Sequence, residues 1–512
     1  MAKEILYDDQ ARLKLQTGVN KLADAVKQTL GPKGKYVIID QDYGSPIVTN
    51  DGVSIARNID LKDKFENMGA KLIKEVSSKT EELSGDGTTT ATILTQSILN
   101  QGLKYVNNGI NPRFIKSGIE KTTQSLVDQL KQIAKPIETY EDIRNIAAVS
   151  AKDDSIGALI GEAMEKVTKN GVISVEEGKS FETTIDIVTG YYIDSGFASP
   201  YFGSENKDAK TFFENPYVLI VNKKISHIND IINILEQVLK TGKELVIIGD
   251  DYNEDLISAI IVNKMRGLLN VSLIKANGFG ENRTNQLKDI AFLTNTKVID
   301  NLEEIKEMSL EELGQATKIE VAKNQTIIIN DKPENIDEYI AKIDRDKDED
   351  KKRIAKLLGG VGVIKVGAST QSEAKEIQSR IEDALQATKA AMDEGVVPGG
   401  GIALLQAMDK IEMEFENDDE KVGSQIIAKA ITQPFRQIVL NADENPDIAL
   451  LQVQNSHYQI GFDAYDNTFK DLSSHGIIDP LKNVRVALEN AASIASLILQ
   501  TGVAITSAQK DQ

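Results

Sequence analysis

The chain contains no cysteine, which excludes disulfides and thiolate metal sites. Histidine is nearly absent as well. His227, His457 and His475 are the only three, too scattered in sequence to read as an imidazole ligand cluster. No apolar run approaches the ~20 residues that a membrane-spanning helix needs. The first residues run Met-Ala-Lys-Glu straight into a charged helical pattern, with neither an apolar signal core nor an Arg/Ser-rich transit stretch. A reducing cytoplasmic location is therefore expected, and the lack of cysteine permits it. Cations are in deficit, with 59 Lys and Arg against 78 Asp and Glu and a net charge of -19. This argues against a nucleic-acid partner held through basic patches and against an anionic membrane surface. The usual nucleotide and hydrolase motifs are also missing. There is no Gly-x-x-x-x-Gly-Lys-Ser/Thr loop and no Gly-x-Ser-x-Gly elbow. Gly278-Phe279-Gly280 lacks the third glycine of a dinucleotide fingerprint, because Arg283 stands there.

What is present is a chain of 512 residues, too long for one ordinary core, so roughly two to four domains are expected. Ala11, Leu15, Val19, Leu22, Val26 and Leu30 recur at spacings of four and three, the signature of one apolar helical face. Asp8 or Asp9 is placed to cap that helix, and Gly31-Pro32 to end it. A short hairpin follows, Tyr36 to Ile39 and Ile47 to Thr49 around Asp42-Tyr43-Gly44. Two strands alone are marginal, so it needs a partner such as a neighbouring subunit. Thr88 to about Leu103 reads as helix, and Asn111-Pro112 opens another. In the middle, Leu245 to Ile248, about Asn253 to Met265, and Val271 to Ile274 read as strand, helix, strand, one unit of an α/β layer. The stretch from Glu334 to Lys356 reads as charged, solvated helix.

Four Gly-containing loops carry the chemistry. The strongest is Gly85-Asp86-Gly87-Thr88-Thr89-Thr90-Ala91-Thr92. Glycine lets backbone approach a ligand closely. The threonines fall where a helix begins, so free amides and hydroxyls point outward at an anion site. Asp86 beside them is suited to Mg²⁺ bridging phosphates. Thr29-Leu30-Gly31-Pro32-Lys33-Gly34 is a second loop, and Asn50-Asp51-Gly52 a third. Gly399-Gly400-Gly401, after a helix ending near Gly395, suits approach to a flat ligand.

In this order the loops resemble those of group I chaperonins, the GroEL family. The likeness continues through Ser199-Pro200-Tyr201-Phe202, Lys223-Lys224-Ile225-Ser226, Met265-Arg266-Gly267, Gly359-Gly360-Val361 and Asp479-Pro480. It implies a multidomain α/β, ring-forming chaperonin fold: a mostly helical equatorial ATPase domain (1–132 and 394–512), a small intermediate hinge domain (133–189 and 362–393) and an α/β apical domain (190–361). It also implies an ATP-driven chaperone whose cofactors are ATP, Mg²⁺ and K⁺. The ATP pocket carried over comprises Thr29, Leu30, Gly31, Pro32, Asn50, Asp51, Asp86, Gly87, Thr88, Thr89, Thr90, Gly400, Asp463, Ala464, Tyr465 and Asp479. Asp86 is the implied metal ligand, Asp479 the ribose ligand, and Asp383, with Asp51, the catalytic carboxylate acting on water. The implied groove for non-native polypeptides is Phe197, Tyr201, Phe202, Ile232, Leu235, Ile257, Ile261 and Val262, exposed on helical faces that include Ile228 and Ile231. The same surface is expected to bind a small heptameric GroES-like co-chaperonin, and the subunits to form two stacked heptameric rings.

The sequence departs from the family's pattern at several places. Asp463 stands where an Asn is usual, adding negative charge near the base. Ser195 and Gln371 stand where an arginine and an acid are frequent, from which weaker cooperativity between subunits is expected. The stretch from Glu334 to Lys356 is shorter than usual, and the chain ends at Gln512 without a Gly-Gly-Met tail. Two rival readings are a degenerate chaperonin that holds clients with little ATP turnover, and an unrelated metabolic ATP enzyme, for which the sequence offers no catalytic groups.

Overall fold

A helix buries an apolar stripe only where another element can approach it, and in this chain glycine sets how close the helices come. In the computed structural model, the Asp8–Val26 helix buries Ala11, Leu15, Val19, Leu22 and Val26, the face expected from the sequence. Its partner is the Lys64–Ser84 helix. A Cβ placed on Gly18 would lie 1.7 Å from the Glu66 carbonyl oxygen, and one on Gly69 would lie 2.0 Å from that of Leu15. The two backbones therefore touch through reciprocal glycines. The Pro112–Ile133 and Asp418–Ala430 helices cross in the same way, where a Cβ on Gly118 would meet the Glu420 carbonyl at 1.9 Å.

The structure describes residues 3–40, 46–137, 139–151, 153–167, 172–178, 181–188, 190–203, 210–278, 280–330, 335–343, 350, 353, 354, 356, 357 and 360–507. The hairpin turn at Asp42-Tyr43-Gly44, Gly359, parts of the stretch from Glu334 to Lys356 and the side chain of Gln371 lie outside them. The described Ile336–Ala341 helix of that stretch buries Ile336 and Ile340, which corrects the expectation of a wholly solvated helix. The chain divides into two compact units, one formed by 1–161 with 375–512 and the other by 162–374. The first is thus built from both ends of the chain. Of the segments assigned to a hinge domain, the Tyr140–Ala151 and Gln371–Glu394 helices fall mainly with the first unit. The strands Val172–Glu177, Thr184–Val188 and Val361–Val366 form a three-stranded sheet in the second.

The first unit is mostly helical. The Thr88–Val106 and Leu481–Leu499 helices join those above around one core that includes Leu22, Leu94, Ile98, Ile119, Ile427, Phe435 and Leu488. Asn111 accepts from the Arg113 amide at 3.0 Å and caps its helix as expected. Neither Asp8 nor Asp9 caps the first helix. Tyr7 precedes it, and the Asp8 amide donates to the Gly502 carbonyl at 2.7 Å. The reason is a pairing invisible in the local pattern: Lys3–Tyr7 is a strand, not helix, and runs antiparallel to Val503–Ser507. Val37–Ile39 and Ile47–Thr49 form the second ribbon, as read from sequence.

In the second unit, Val271–Lys275, Leu245–Tyr252, Tyr217–Ile225 and Val298–Ile299 form a parallel sheet in that order. Gly314–Gln315 is added antiparallel to Tyr217–Ile225. Strands buried on both faces read as continuous apolar runs, and Val218 to Val221 and Leu245 to Ile248 are all buried. An antiparallel sheet of Gly190–Ile193, Thr326–Ile329, Lys318–Val321 and Thr211–Glu214 lies in the same unit. Among the described residues no helix is long and apolar enough to cross a membrane.

The glycine crossing generates a prediction. Alanine is about 1 kcal/mol better than glycine inside a helix, yet Gly69→Ala forces the Cβ into the Leu15 backbone. The expected net effect is a loss of ~1–3 kcal/mol, read as a lower urea midpoint. A neutral or stabilising result would show that the two helices can slide apart at little cost.

Candidate functional site

The first unit brings the Gly-containing loops to one place. Gly85 ends its helix with φ of +75°, and Gly87 (φ +87°) starts the Thr88–Val106 helix. Both are left-handed conformations that glycine adopts readily. The Thr88, Thr89 and Thr90 amides therefore open the N-terminus of a 19-residue helix, which favours negative charge. Asp86 accepts from the Gly87 amide at 2.6 Å and from Ser150 Oγ at 3.4 Å. Asp51 caps the Gly52–Asn58 helix, accepting from the Val53 and Ser54 amides at 3.2 and 2.8 Å. That turn, with the partly buried Asn50, abuts the threonines: a Cβ on Gly52 would lie 2.3 Å from Thr89 Oγ1.

Asp383 arrives from the Gln371–Glu394 helix. One turn further on, Gln386 packs where a Cβ on Gly85 would come within 2.2 Å. Asp479 arrives on the strand Ile478–Pro480, opposite Val397. Two of these carboxylates are shifted by burial and by the acids near them. The Asp383 carboxyl is pushed well above the ordinary aspartate range, by burial first and then by Asp51 and Asp86. Asp479 is pushed up to about 7, by burial and then by Asp86. Losing solvation and gathering like charges both favour the protonated acid. Among the described residues no group of three His, Asp or Glu side chains could hold a metal by itself. A cation here therefore needs ligand oxygens beside Asp86, as a metal–phosphate complex supplies. The anion-seeking helix start and the crowded acids together fit a magnesium nucleotide.

The other residues expected in the pocket lie in the Thr29 loop, at Gly400 and around a short hairpin. Thr29 is buried and its hydroxyl donates to the Val26 carbonyl at 2.9 Å. Leu30 is partly buried, Gly31 has φ of +83°, and Pro32 is exposed. Sequence reasoning missed what holds this loop. Asn441 Nδ2 donates to the Lys27 and Leu30 carbonyls at 3.0 and 2.8 Å, and Gln437 orients Asn441 at 2.7 Å. Asn441 sits at the end of an ordinary helix over 400 residues away, so no local signal marks it. Gly400 (φ +65°) comes close to Leu472 and the Phe462 carbonyl, beside the Gly461–Asp463 and Thr468–Lys470 hairpin. There Ala464 is buried and Tyr465 is 82% exposed. Lys470 lies 2.7 Å from Asp463 and 2.7 Å from Asp466, so the charge that Asp463 adds is met locally by a cation. Lys33 ties the first loop to this hairpin through Asn467 at 2.6 Å.

In the second unit the proposed groove residues divide. Tyr201, Ile232 and Val262 are exposed, while Phe197, Ile257 and Ile261 are partly buried against the core. Phe202 and Leu235 are core residues, 0% and 4% exposed, and the expectation that they line a surface is corrected. The Ile232–Thr241 helix turns Ile234, Leu235 and Val238 inward, and Ile231 just before it is buried as well. The face of Ile228, Ile231, Ile232 and Leu235 expected to be exposed is therefore divided: Ile232 is outward and Ile228 partly buried, while Ile231 and Leu235 point inward. The outward apolar residues that sequence reasoning missed are Leu239, Met265 and Leu268, at 55%, 79% and 54%. The Ser195 carbonyl accepts from Thr326 Oγ1 at 2.7 Å.

A helical unit made from both chain ends, with a Gly-Asp-Gly-Thr-Thr turn ringed by acids, together with an inserted α/β unit, defines a chaperonin subunit. The family model agrees: the chain belongs to the TCP-1/cpn60 chaperonin family, matched over residues 22–509. Two crystal forms of the chaperonin gp146 from the bacteriophage EL 2 (Pseudomonas aeruginosa), both in the presence of ATP-BeFx, are similar to it. Each aligns over 99% of both chains at 20% identity, with TM-scores of 0.72 and 0.66. At that identity the likeness speaks for the fold.

Asp479 gives a measurable consequence. Its pKa in the folded chain is raised from 3.8 to about 7, so the fold favours the protonated acid. The stability this group contributes is complete below about pH 4 and is lost as pH rises through 7. Asp479→Asn removes the penalty. Without nucleotide or Mg²⁺ at pH 8 the variant is expected to be more stable by ~2–4 kcal/mol, since each pKa unit is worth about 1.4 kcal/mol. The advantage should vanish toward pH 4. A difference independent of pH in thermal melts would refute this charge assignment.

Proposed function

We propose that this protein is an ATP-dependent folding chaperone. The observation that carries the reading is the gathering of Asp51, Asp86, Asp383 and Asp479 around the N-terminus of the Thr88–Val106 helix. Asp86 is the residue to hold Mg²⁺, and Asp479 the one to accept from the ribose hydroxyls. The helix-start amides and threonine hydroxyls hold phosphate oxygens. Asp383, with Asp51, orients and deprotonates the attacking water. A Mg²⁺ held at Asp86 would supply positive charge beside the phosphates and would weaken the repulsion from Asp86 that, after burial and Asp51, raises the Asp383 carboxyl. Phosphoryl transfer needs positioning and charge stabilisation more than covalent help, and these residues supply both. K⁺ as a further cofactor, the division into equatorial, intermediate and apical domains, and a cytoplasmic setting rest on the family resemblance. The gp146 crystals with ATP-BeFx are in keeping with nucleotide binding by this fold.

The exposed apolar residues of the second unit are the surface for non-native polypeptides, and on the same resemblance for a heptameric GroES-like lid. Patches of this kind on otherwise polar surfaces mark interaction sites. Subunits join through the two ribbons of the first unit. One exposes Ile5 opposite Ile505 and Tyr7 opposite Val503, and the other exposes Ile38 opposite Val48. Isolated two-stranded ribbons are marginal and their edges seek partners. Pairing one ribbon with the other type on a neighbour is a head-to-tail contact, which closes into a ring. Two stacked heptameric rings are the expected assembly.

Two experiments test these roles. Asp383→Ala should keep nucleotide affinity while phosphate release falls by ~10²-fold or more, whereas Asp86→Ala should weaken Mg-ATP binding itself. Parental hydrolysis in the first variant, or unchanged affinity in the second, would remove the corresponding role. Ile38→Glu with Val48→Lys alters only exposed side chains, so the chain should stay folded. Mass photometry should then show the rings of the parent replaced by small species, and intact rings in the variant would exclude this ribbon from the contact.

A further inference from the structure

We infer that the groove between the Ile232–Thr241 and Glu254–Met265 helices accepts apolar polypeptide segments that carry a carboxylate, with Lys243 and Lys264 selecting for it. The inference rests on the reading of this face as the polypeptide-binding surface. It goes further by naming the chemistry of the segment.

The groove is a cavity of about 330 Å³. That is near the lower end of ligand pockets at ~300–1,000 Å³, with room for a few side chains of an extended peptide. Its apolar lining includes Leu239, Leu268 and Leu269. Leu239 and Leu268 are more than half exposed, so apolar surface remains to be covered there. All of the charge on the lining is positive. Lys243 and Lys264 belong to it and no Asp or Glu does, in a chain whose net charge is -19.

Lys264 is the unusual member. Its ammonium donates to the Phe202 carbonyl at 2.7 Å and to Ser272 Oγ at 3.1 Å. It lies 5.9 Å from the centres of both the Phe202 and Phe213 rings. An ammonium has three N–H donors, and these partners are two neutral oxygens and two aromatic rings. Burial lowers its pKa, opposed by Glu244. Glu244 does not line the groove and is engaged by the Asn270 side chain and the Glu214 backbone. Lys243 at the rim is exposed and lies 5.2 Å from the centre of the Tyr217 ring. A carboxylate entering the groove thus meets one cation at the rim and one at the wall. In a partly desolvated setting such pairing discriminates more strongly than it does in water.

The test uses a short labelled peptide of apolar residues with one central Glu, and its Gln twin, titrated into the full-length protein by fluorescence anisotropy. The Glu peptide is expected to bind about tenfold more tightly. Lys243→Gln, an exposed change that leaves folding intact, should erase part of that preference. Lys264→Met, which keeps the apolar stem, should erase most of the rest, and neither should weaken binding of the Gln peptide. Equal affinity of the two peptides for the parent protein overturns the inference and leaves the polypeptide-binding reading standing. Failure of both peptides to bind overturns both. The parent comparison needs no variant, so an unstable Lys264→Met protein does not spare the inference.

Discussion

The repulsion among four carboxylates at the start of one helix is the constraint on which the first unit depends. Asp51, Asp86, Asp383 and Asp479 come from separate stretches of the chain, and burial, with the acids nearby, disfavours the ionised form at Asp383 and Asp479. Left to itself this arrangement would spread or protonate. It is held because each acid sits on an element that is fixed for other reasons. Asp51 starts a helix through two backbone bonds. Asp479 lies in a strand pair with Val397. Asp383 rides on a helix whose Ala384, Ala387 and Ala391 are buried. The apolar core, at ~25 cal/mol per Å² of buried apolar surface, supplies the stabilisation against which this local cost is set.

Close helix contact is what makes the framework stiff enough. At the Gly18–Gly69 crossing, the backbones approach within a distance that no side chain would permit. The Asp63 cap, which accepts from the Phe65 and Glu66 amides, fixes the start of the second of these helices, and Gly85 fixes its end. The helix thus runs from a defined origin to the Gly85 turn. Asn441 does the equivalent for the Thr29 loop, satisfying carbonyls that the end of the first helix leaves open.

Local chemistry was legible in the sequence, and distant chemistry was not. Gly85 to Thr92 announces itself because the glycine turn, Asp86 and the helix start at Thr88 are contiguous. Asp383 carries no such mark. Beside Glu382 it looks like any helical acid, and only the resemblance singled it out. The Lys470 partner of Asp463 depends on a hairpin register. The strand nature of Lys3–Tyr7 depends on a partner at the far end of the chain, Val503–Ser507. The error at Phe202 and Leu235 has another origin. Apolar spacing identifies that a helix has a buried face, but with Ile231, Ile232, Ile234 and Leu235 nearly consecutive, periodicity cannot choose which of them faces inward. That choice is made by the sheet beneath, where Leu219, Val221 and Ile247 receive Leu235 and its neighbours.

The two units share one physical habit, which is to keep unfavourable groups only where a partner can relieve them. The acid cluster is unfavourable without a cation. The ribbons at Lys3–Tyr7 and Val37–Ile39 present apolar cross-strand pairs that two strands cannot bury. The helices over the parallel sheet send Ile234, Leu235 and Val238 into the core, yet leave Ile232, Leu239 and Val262 in water. Each exposure has a cost in the isolated chain, and binding that relieves the cost stabilises the bound form by mass action. On the proposed reading, nucleotide, neighbouring subunits and polypeptide are the three partners that would relieve these separate costs, each at its own part of the chain.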